Sequence, residues 1–344
     1  MPLVSLDAIR EAADRIRAIA RRTPILDVSD LAARPLWLKC EPQQPGGAFK
    51  IRGATNMMMR LSPDVRARGV ITYSSGNHGQ AVALAASRLS APAVVVAPTT
   101  APAIKVAGMK RWGAEVILEG TTSAHRLARA LTEAAARGLT MVPPFDHEWI
   151  IEGQGTCGLE IIEQARDVDV VVVPVGGGGL IAGVAAAVKR LNPAIRVVGV
   201  EPTGAAKMST SLAAGHPVTL DSTSSIADGL MPVRPGDLTF EHVRAFVDDV
   251  VTVTDEEVAR AALWLFYEAK QVVEPSGAAT VAALLWPKPG SLLADTTKRA
   301  VAILSGGNVA PETLAALEKK YAQSRSTSGD RRPAPVSTAG AVGE

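Results

Sequence analysis

Apolar residues recur along this chain at two periods. Over residues 5 to 20, Leu6, Ile9, Ala13, Ile16 and Ala20 fall on one helical face with Arg and Glu elsewhere, and Arg22-Thr23-Pro24 ends that predicted helix. A short apolar run, Leu36-Trp37-Leu38, leads through the turn-rich link Glu41-Pro42-Gln43-Gln44-Pro45 to a predicted helix through Asn56 and Met57-Met58-Met59. From residue 70 onward, β-branched runs alternate with helical ones. The pattern predicts strands at 70–73, 93–97, 115–118 and 140–142, and helices at 79–89, 103–112 and 123–137. After a loop at 145–149, a second series reads helix 153–164, strand 169–173, helix 180–191 and strand 197–200. Residues 215–240 read as irregular. Strand 250–253 then feeds a helix capped by Thr254 with Glu257 in a capping box, another helix starts near Ser276, and strand 299–304 comes last. Residues 322–344, rich in Ser, Pro, Gly and charge, have no apolar period and read as a disordered tail. Alternating strand and helix predicts an α/β fold with parallel sheets wrapped by helices.

In open α/β sheets, sites form beyond the carboxyl ends of strands, so the loops after strands carry the information. Four stand out: Ser74-Ser75-Gly76-Asn77-His78-Gly79, Gly176-Gly177-Gly178-Gly179, Glu201-Pro202, and Ser305-Gly306-Gly307-Asn308. Strand, glycines and helix around Gly176 to Gly179 form an anion site, because glycine admits close backbone approach and helix-start N–H groups point at a phosphate. Gly177-x-Gly179-x-x-Ala182 also satisfies the dinucleotide fingerprint, with Glu201 about twenty residues on. An NAD-dependent dehydrogenase using residues 176–182 is therefore one reading. It leaves unexplained the stretch Gly46-Gly47-Ala48-Phe49-Lys50-Ile51-Arg52-Gly53-Ala54. A lysine held at the end of a loop against an aromatic can be desolvated, which lowers its pKa and frees its amine as a nucleophile. The alternative is a helix-start lysine with no role. A monophosphate cofactor carrying an aldehyde, pyridoxal 5′-phosphate (PLP), uses such a lysine and the glycines together.

Composition narrows the partners. The chain has 344 residues, 47% of them hydrophobic but only 4% aromatic, so Ala, Val, Leu and Ile build the cores of what length suggests are two packed domains. A net charge of +2, spread along the chain, argues against nucleic acid or an anionic membrane as the main partner. Val170 to Val188 carries no charge and is long enough to span a bilayer, but Pro174 and the glycines cut it into a buried strand and an alanine-rich helix. Cys40 and Cys157 have no metal spacing and make no disulfide framework, and the N-terminus has no signal-peptide pattern, which together suit a reducing cytoplasm. His78 has no partner at catalytic or metal spacing and reads as a loop residue lending its backbone N–H, while Trp264 and Phe266 read as core.

With these loops placed, the chain resembles the PLP-dependent serine/threonine dehydratase and serine racemase family of fold type II (tryptophan synthase β-like), from about Ile9 to Asn308. The resemblance rests on six pieces in order: 47–54, Ser74 to Gln80, Gly153-Gln154-Gly155-Thr156, Gly176 to Gly179, Glu274-Pro275-Ser276-Gly277-Ala278, and Leu304 to Asn308. It implies two domains with PLP in the cleft between them: residues 1–54 with 148–321, and a smaller domain at 55–147. It implies that Lys50 holds PLP as a Schiff base, with Phe49 beside the ring, Asn77 on the ring 3′-hydroxyl, Gly176, Gly177, Gly178 and Gly179 around the phosphate, and Ser305 facing the pyridine nitrogen. Ser74, Ser75, Gly76, Asn77 and His78 would grip the substrate carboxylate, and Ser75 would stand opposite the lysine. A neutral Ser305 does not hold a proton on the pyridine nitrogen as an aspartate would, which favours expulsion of a β-leaving group over transamination.

The implied activity is a dehydratase (ammonia-lyase) that takes a β-hydroxy amino acid such as L-threonine or L-serine to a 2-oxo acid and ammonia. Lys50 would be the base and Ser75 a second proton donor if the enzyme racemises. A serine racemase or a β-replacement enzyme are the alternatives within the family. The departures are Gly46, where the family often has threonine, and Phe145, where serine racemases tend to have asparagine, although Arg126 keeps an arginine they carry. Phe145 leans toward the dehydratase. The family's divalent-metal site falls on Glu201, Ala205 and Lys207; lysine is no ligand for a hard cation, so its ammonium is expected to replace the metal and pair with Glu201. No stretch is left for a separate regulatory domain, which implies a catabolic role, and the family expectation is a homodimer.

Overall fold

Two parallel sheets organise the protein, whose computed structural model describes residues 2–101 and 103–321; the predicted tail at 322–344 lies outside the described residues. The strands are β1 (Ile25–Asp27), β2 (Leu36–Cys40), β3 (Val70–Tyr73), β4 (Ala93–Ala97), β5 (Glu115–Leu118), β6 (Thr140–Met141), β7 (Val170–Pro174), β8 (Arg196–Pro202), β9 (Asp249–Val253) and β10 (Ala300–Leu304). One sheet has six strands in the order β1-β2-β10-β7-β8-β9, parallel except for β1, which runs antiparallel to β2. The other has four parallel strands in the order β5-β4-β3-β6. The central strands β7 and β10 are buried at every position, which is why they read as unbroken β-branched and aliphatic runs rather than alternating ones.

The helices are α1 (Leu6–Ile16), α2 (Ser29–Ala32), α3 (Lys50–Arg60), α4 (Pro63–Arg68), α5 (Asn77–Arg88), α6 (Ala103–Arg111), α7 (Ser123–Arg137), α8 (Glu148–Gln164), α9 (Gly179–Leu191), α10 (Lys207–Ala214), α11 (Asp237–Phe246), α12 (Asp255–Tyr267), α13 (Pro275–Leu285) and α14 (Pro311–Tyr321). Two of them start earlier than the pattern indicates. α5 begins at Asn77 rather than Gly79, so His78 lies in its first turn and not in the preceding loop. α8 begins at Glu148 rather than Gly153, because its glycines are contact points and not breakers: a Cβ on Gly153 would lie 2.6 Å from Gly53 Cα of α3. That close crossing lets α3 pack against both α8 and α5, with Ile51, Ala54, Met57 and Met58 buried among Val82, Leu84 and Ile150.

The segment read as irregular at 215–240 holds a 3-10 turn, Asp228–Leu230, and the start of α11. Phe266 is a further correction: it is 39% exposed and meets Tyr267 edge-on at 5.0 Å, while Trp264 packs partly buried against the core. The capping box of α12 forms as its sequence indicates, with Glu257 N donating to Thr254 Oγ1 and Thr254 N donating to Glu257 Oε2.

Candidate active site

The carboxyl ends of β2, β3, β7 and β10 converge on one cavity of about 500 Å³. Lys50, Phe49, Ser74 to His78, Gly176 to Gly179 and Ser305 all line it. Every catalytic, cofactor and substrate position singled out in the sequence therefore faces a single space, although the pieces come from four separate stretches of chain.

Lys50 is the first residue of α3, and its placement is set by backbone. β10 pairs with β2 up to Leu304 opposite Cys40, and beyond that register Phe49 N donates to Ser305 O at 3.0 Å and Ala48 bridges Gly306. Gly47, at φ +75°, makes the turn before it, where a Cβ would lie 2.4 Å from Asn308 Oδ1. Below Lys50, buried Arg52 donates to both oxygens of Glu41 at 2.8 Å, to Glu160 at 2.7 and 2.8 Å, and to Thr156 at 3.0 Å. This network fixes the first turn of α3 to the 41–43 turn and to α8. Lys50 Nζ donates to Pro144 O at 2.7 Å and lies 5.2 Å from the Phe49 ring centre. Burial pulls its pKa down to about 8, so an appreciable fraction of free amine exists near neutral pH.

Two helices point bare N-termini at the cavity. α5 starts after Gly76 and α9 after Gly178, and neither cap has a side chain that accepts from the first-turn N–H groups. At the second, Gly178 has φ +99° and a Cβ there would lie 2.7 Å from Thr239 Oγ1, while one on Gly177 would lie 2.4 Å from the Phe145 ring. A side chain in this turn would collide with Phe145 or Thr239 and displace the backbone whose N–H groups face the cavity. Ser75 is exposed to the cavity. The Asn77 amide is clamped, its Nδ2 donating to Glu274 Oε1 at 2.5 Å and its Oδ1 accepting from Asn308 Nδ2 at 2.9 Å, which leaves one N–H of Nδ2. The His78 ring is buried, with Nε2 bonded to Val142 O at 3.0 Å, and burial with the nearby Lys50 charge drops its pKa to about 3. His78 is a neutral structural ring, not an acid or base.

Three residues escaped the sequence reading. Glu274 is buried in the cavity wall, and burial, with the Asp228 charge, raises its pKa to about 7. Its signal was an acid directly before a proline that opens a helix, inside a piece of sequence already singled out. Lys105 of α6 and Asp228 form an ion pair in the cavity lining. Arg126 also lines the cavity, its guanidinium donating to Thr121 O and Ser123 Oγ. Glu201 does not serve a ribose: it is fully buried and accepts from Met208 N at 3.0 Å and Ser209 N at 2.8 Å, which removes the acid that the dinucleotide reading needs.

Residues 16–306 match the pyridoxal-phosphate dependent enzyme family. The chain belongs to that family. It is 42% identical over 310 residues to an L-threonine ammonia-lyase of Thermotoga maritima, covering 89% of this chain and 76% of that protein. It is 43% identical over 309 residues to a serine racemase of Oryza sativa subsp. japonica, covering 88% and 91%. Among solved structures, maize serine racemase superposes with a TM-score of 0.87 at 40% identity, covering 94% of this chain and 99% of that one. The fold is PLP fold type II, and the cofactor of this family is PLP. The residues present fit it: an amine of lowered pKa for the aldehyde, a glycine turn with a bare helix start for the phosphate, and an aromatic ring beside the amine. Among the described residues, no helix is long and apolar enough to cross a membrane, and no cluster of three or more His, Cys, Asp or Glu could hold a metal ion.

Proposed function

We propose that this protein is a PLP-dependent ammonia-lyase that dehydrates L-threonine or L-serine to a 2-oxo acid and ammonia. One observation carries the reading: an amine of lowered pKa, Lys50 Nζ, shares a cavity with two uncapped helix N-termini, one suited to a phosphate and one to a carboxylate. The ammonia-lyase and racemase relatives support it. PLP, when bound, supplies an electron sink for negative charge at the substrate Cα. Lys50 would hold it, Phe49 would flank its ring, Gly176 to Gly179 would cradle its phosphate, Asn77 would offer its remaining N–H to the ring hydroxyl, and Ser305 would face the ring nitrogen.

The chain's own groups then divide the work. The N–H groups at the start of α5, with the Ser74 to His78 loop, bind the substrate carboxylate, and Arg126 adds positive charge to the same cavity. Lys50 Nζ takes the Cα proton as general base, its pKa lowered by burial to about 8 so that free amine is available near neutral pH. Ser305, being neutral, would give the ring nitrogen no counter-charge, which would favour loss of the β-hydroxyl over amino-group transfer; the hydroxyl and the Cα proton taken up by Lys50 together make up the one water lost. The released enamine hydrolyses to the 2-oxo acid and ammonia. Phe145, Leu127, Met231 and Val233 contribute apolar lining to the cavity, which suits a substrate carrying a methyl group such as threonine. Ser75, exposed in the cavity, supports serine racemisation as the second reading, because its hydroxyl can return a proton to Cα.

The test is 2-oxo acid formation from L-threonine and L-serine, with D-serine measured by chiral separation in the same reaction. Oxo acid in excess supports the lyase, D-serine in excess supports the racemase, and neither product from PLP-loaded protein refutes both. We also take 1–54 with 148–321 and 55–147 as two domains, because the four-stranded sheet lies wholly within the second span. A cytoplasmic homodimer completes the proposal. The two free, buried cysteines suit the compartment, and light scattering reads the assembly.

A further inference from the structure

A buried cage of oxygens lies directly behind the glycine turn, and a side chain fills it. Lys207 Nζ donates to Val175 O at 2.8 Å, Leu230 O at 2.9 Å and Ala205 O at 3.0 Å, and Glu201 Oε2 lies 3.4 Å away. Lys207 and Glu201 are both fully buried. An ammonium has three N–H donors, and each has its own carbonyl. Carbonyl and carboxylate oxygens are what a hard metal ion takes as ligands. The cage is therefore a cation site by chemistry, and its centre is occupied by a cation that the chain carries itself. A lysine offers no lone pair to a metal while charged, so the residues present do not fit the divalent ion that the resemblance implies at this place.

We propose that Lys207 is a tethered cation that replaces a bound metal ion, holds the loops behind the phosphate cradle in place, and frees the enzyme from any need for a divalent cation. The three carbonyls belong to three different segments. Val175 directly precedes Gly176; Ala205 follows β8; Leu230 ends the 228–230 turn, whose Gly229 O lies so near Gly176 that a Cβ there would be 2.9 Å away. Glu201 secures the lysine from the other side, since its oxygens accept from the first N–H groups of α10, the helix that Lys207 opens. Removing the ammonium leaves three buried carbonyls without their shared donor and beside the Glu201 carboxylate, which drives the loops apart. Lys207 is thus a positioning residue, acting on the cofactor through Val175 and the 228–230 turn.

The inference rests on reading Gly176 to Gly179 as the phosphate cradle, and the experiment separates the two. Melting temperature and PLP affinity are measured, by thermal scan and by absorbance titration, for the wild type, Lys207→Met and Lys207→Asp, each with chelator, Mg²⁺ and Ca²⁺. The wild-type holoenzyme should respond to none of the three in either quantity. Lys207→Met, similar in volume but uncharged, should bind PLP at least about tenfold more weakly, as loss of a group supporting a ligand site does. Lys207→Asp should gain what the wild type lacks: a melting temperature and a PLP affinity that rise with Mg²⁺ or Ca²⁺ and fall with chelator. Wild-type protein that is destabilised by chelator or stabilised by a divalent ion overturns the proposal, and that arm needs no variant to fold. Lys207→Met that melts lower but binds PLP as the wild type does overturns the positioning role, whereas failure of the cradle itself would appear in Gly178→Ala.

Discussion

Glu274 is the group whose protonation most directly links the stability of this protein to its site. An ordinary carboxyl titrates near 4.5, but burial and the Asp228 charge hold this one at about 7, with Lys105 and the Asn77 hydrogen bond opposing. Each factor of ten in proton affinity is ~1.36 kcal/mol, so the interval from 4.5 to about 7 corresponds to roughly 3 kcal/mol. The folded protein binds this proton more tightly than the unfolded chain. The associated stability is thus fully present below the unfolded value and is lost as pH rises through about 7. Glu274→Gln places a neutral group of the same shape at the same spot and can still accept from Asn77 Nδ2. It should escape that loss. Urea unfolding of the apoprotein at pH 5.5 and 8.5 reads the effect. On going to the higher pH, the variant should gain about 2 kcal/mol relative to the wild type, a little over half of the interval, because the rest is already lost below pH 5.5. Parallel stability curves would refute the reasoning and show that Glu274 is ionised at no cost, by water or relaxation at the cavity wall.

Other perturbations follow from single contacts. Gly178→Ala puts a side chain at φ +99° and within 2.7 Å of Thr239 Oγ1, so PLP affinity should fall by at least about tenfold, the equivalent of ~1.4 kcal/mol, read by absorbance titration. Arg52→Met leaves Glu41 and Glu160 without their shared partner and should cost about 3–5 kcal/mol of unfolding free energy, read by chemical denaturation. Thr254→Ala removes the capping box of α12, a helix that does not line the cavity, and should cost about 1 kcal/mol of stability while leaving turnover unchanged.

The parts of this fold that read directly from sequence are those whose stabilising contacts are local or uniformly apolar. β4, β5 and α7 fall at the expected residues, because a valine run or an amphipathic period suffices to specify them. What did not read depends on distant partners. α11 has glycine at its N-cap, and its first N–H groups are instead satisfied by Asp146, 91 to 93 residues away. α14 buries only Leu317 and gives no apolar stripe to detect. β1 has three residues and exists because β2 offers an edge. The site shows the same division. Lys50, the glycine turn and the Ser74 to His78 loop declare themselves by unusual composition after a strand, whereas Glu274, Lys105 and Asp228 acquire their role only when distant parts of the chain meet around one cavity. Lys207 lay in between: its identity and its neighbours Glu201 and Ala205 were visible from the resemblance, but its carbonyl partners Val175 and Leu230 were not.

The proposed function requires Lys50 to hold the cofactor. Borohydride reduction of the purified protein, followed by proteolysis and mass spectrometry, tests this most directly, because it converts a Schiff base into a stable label on the lysine that formed it. The expected result is a single pyridoxyl group on the peptide containing Lys50, with the visible band lost on reduction and absent from Lys50→Ala. A label on another lysine, or protein that binds PLP and yields no label at all, would contradict it.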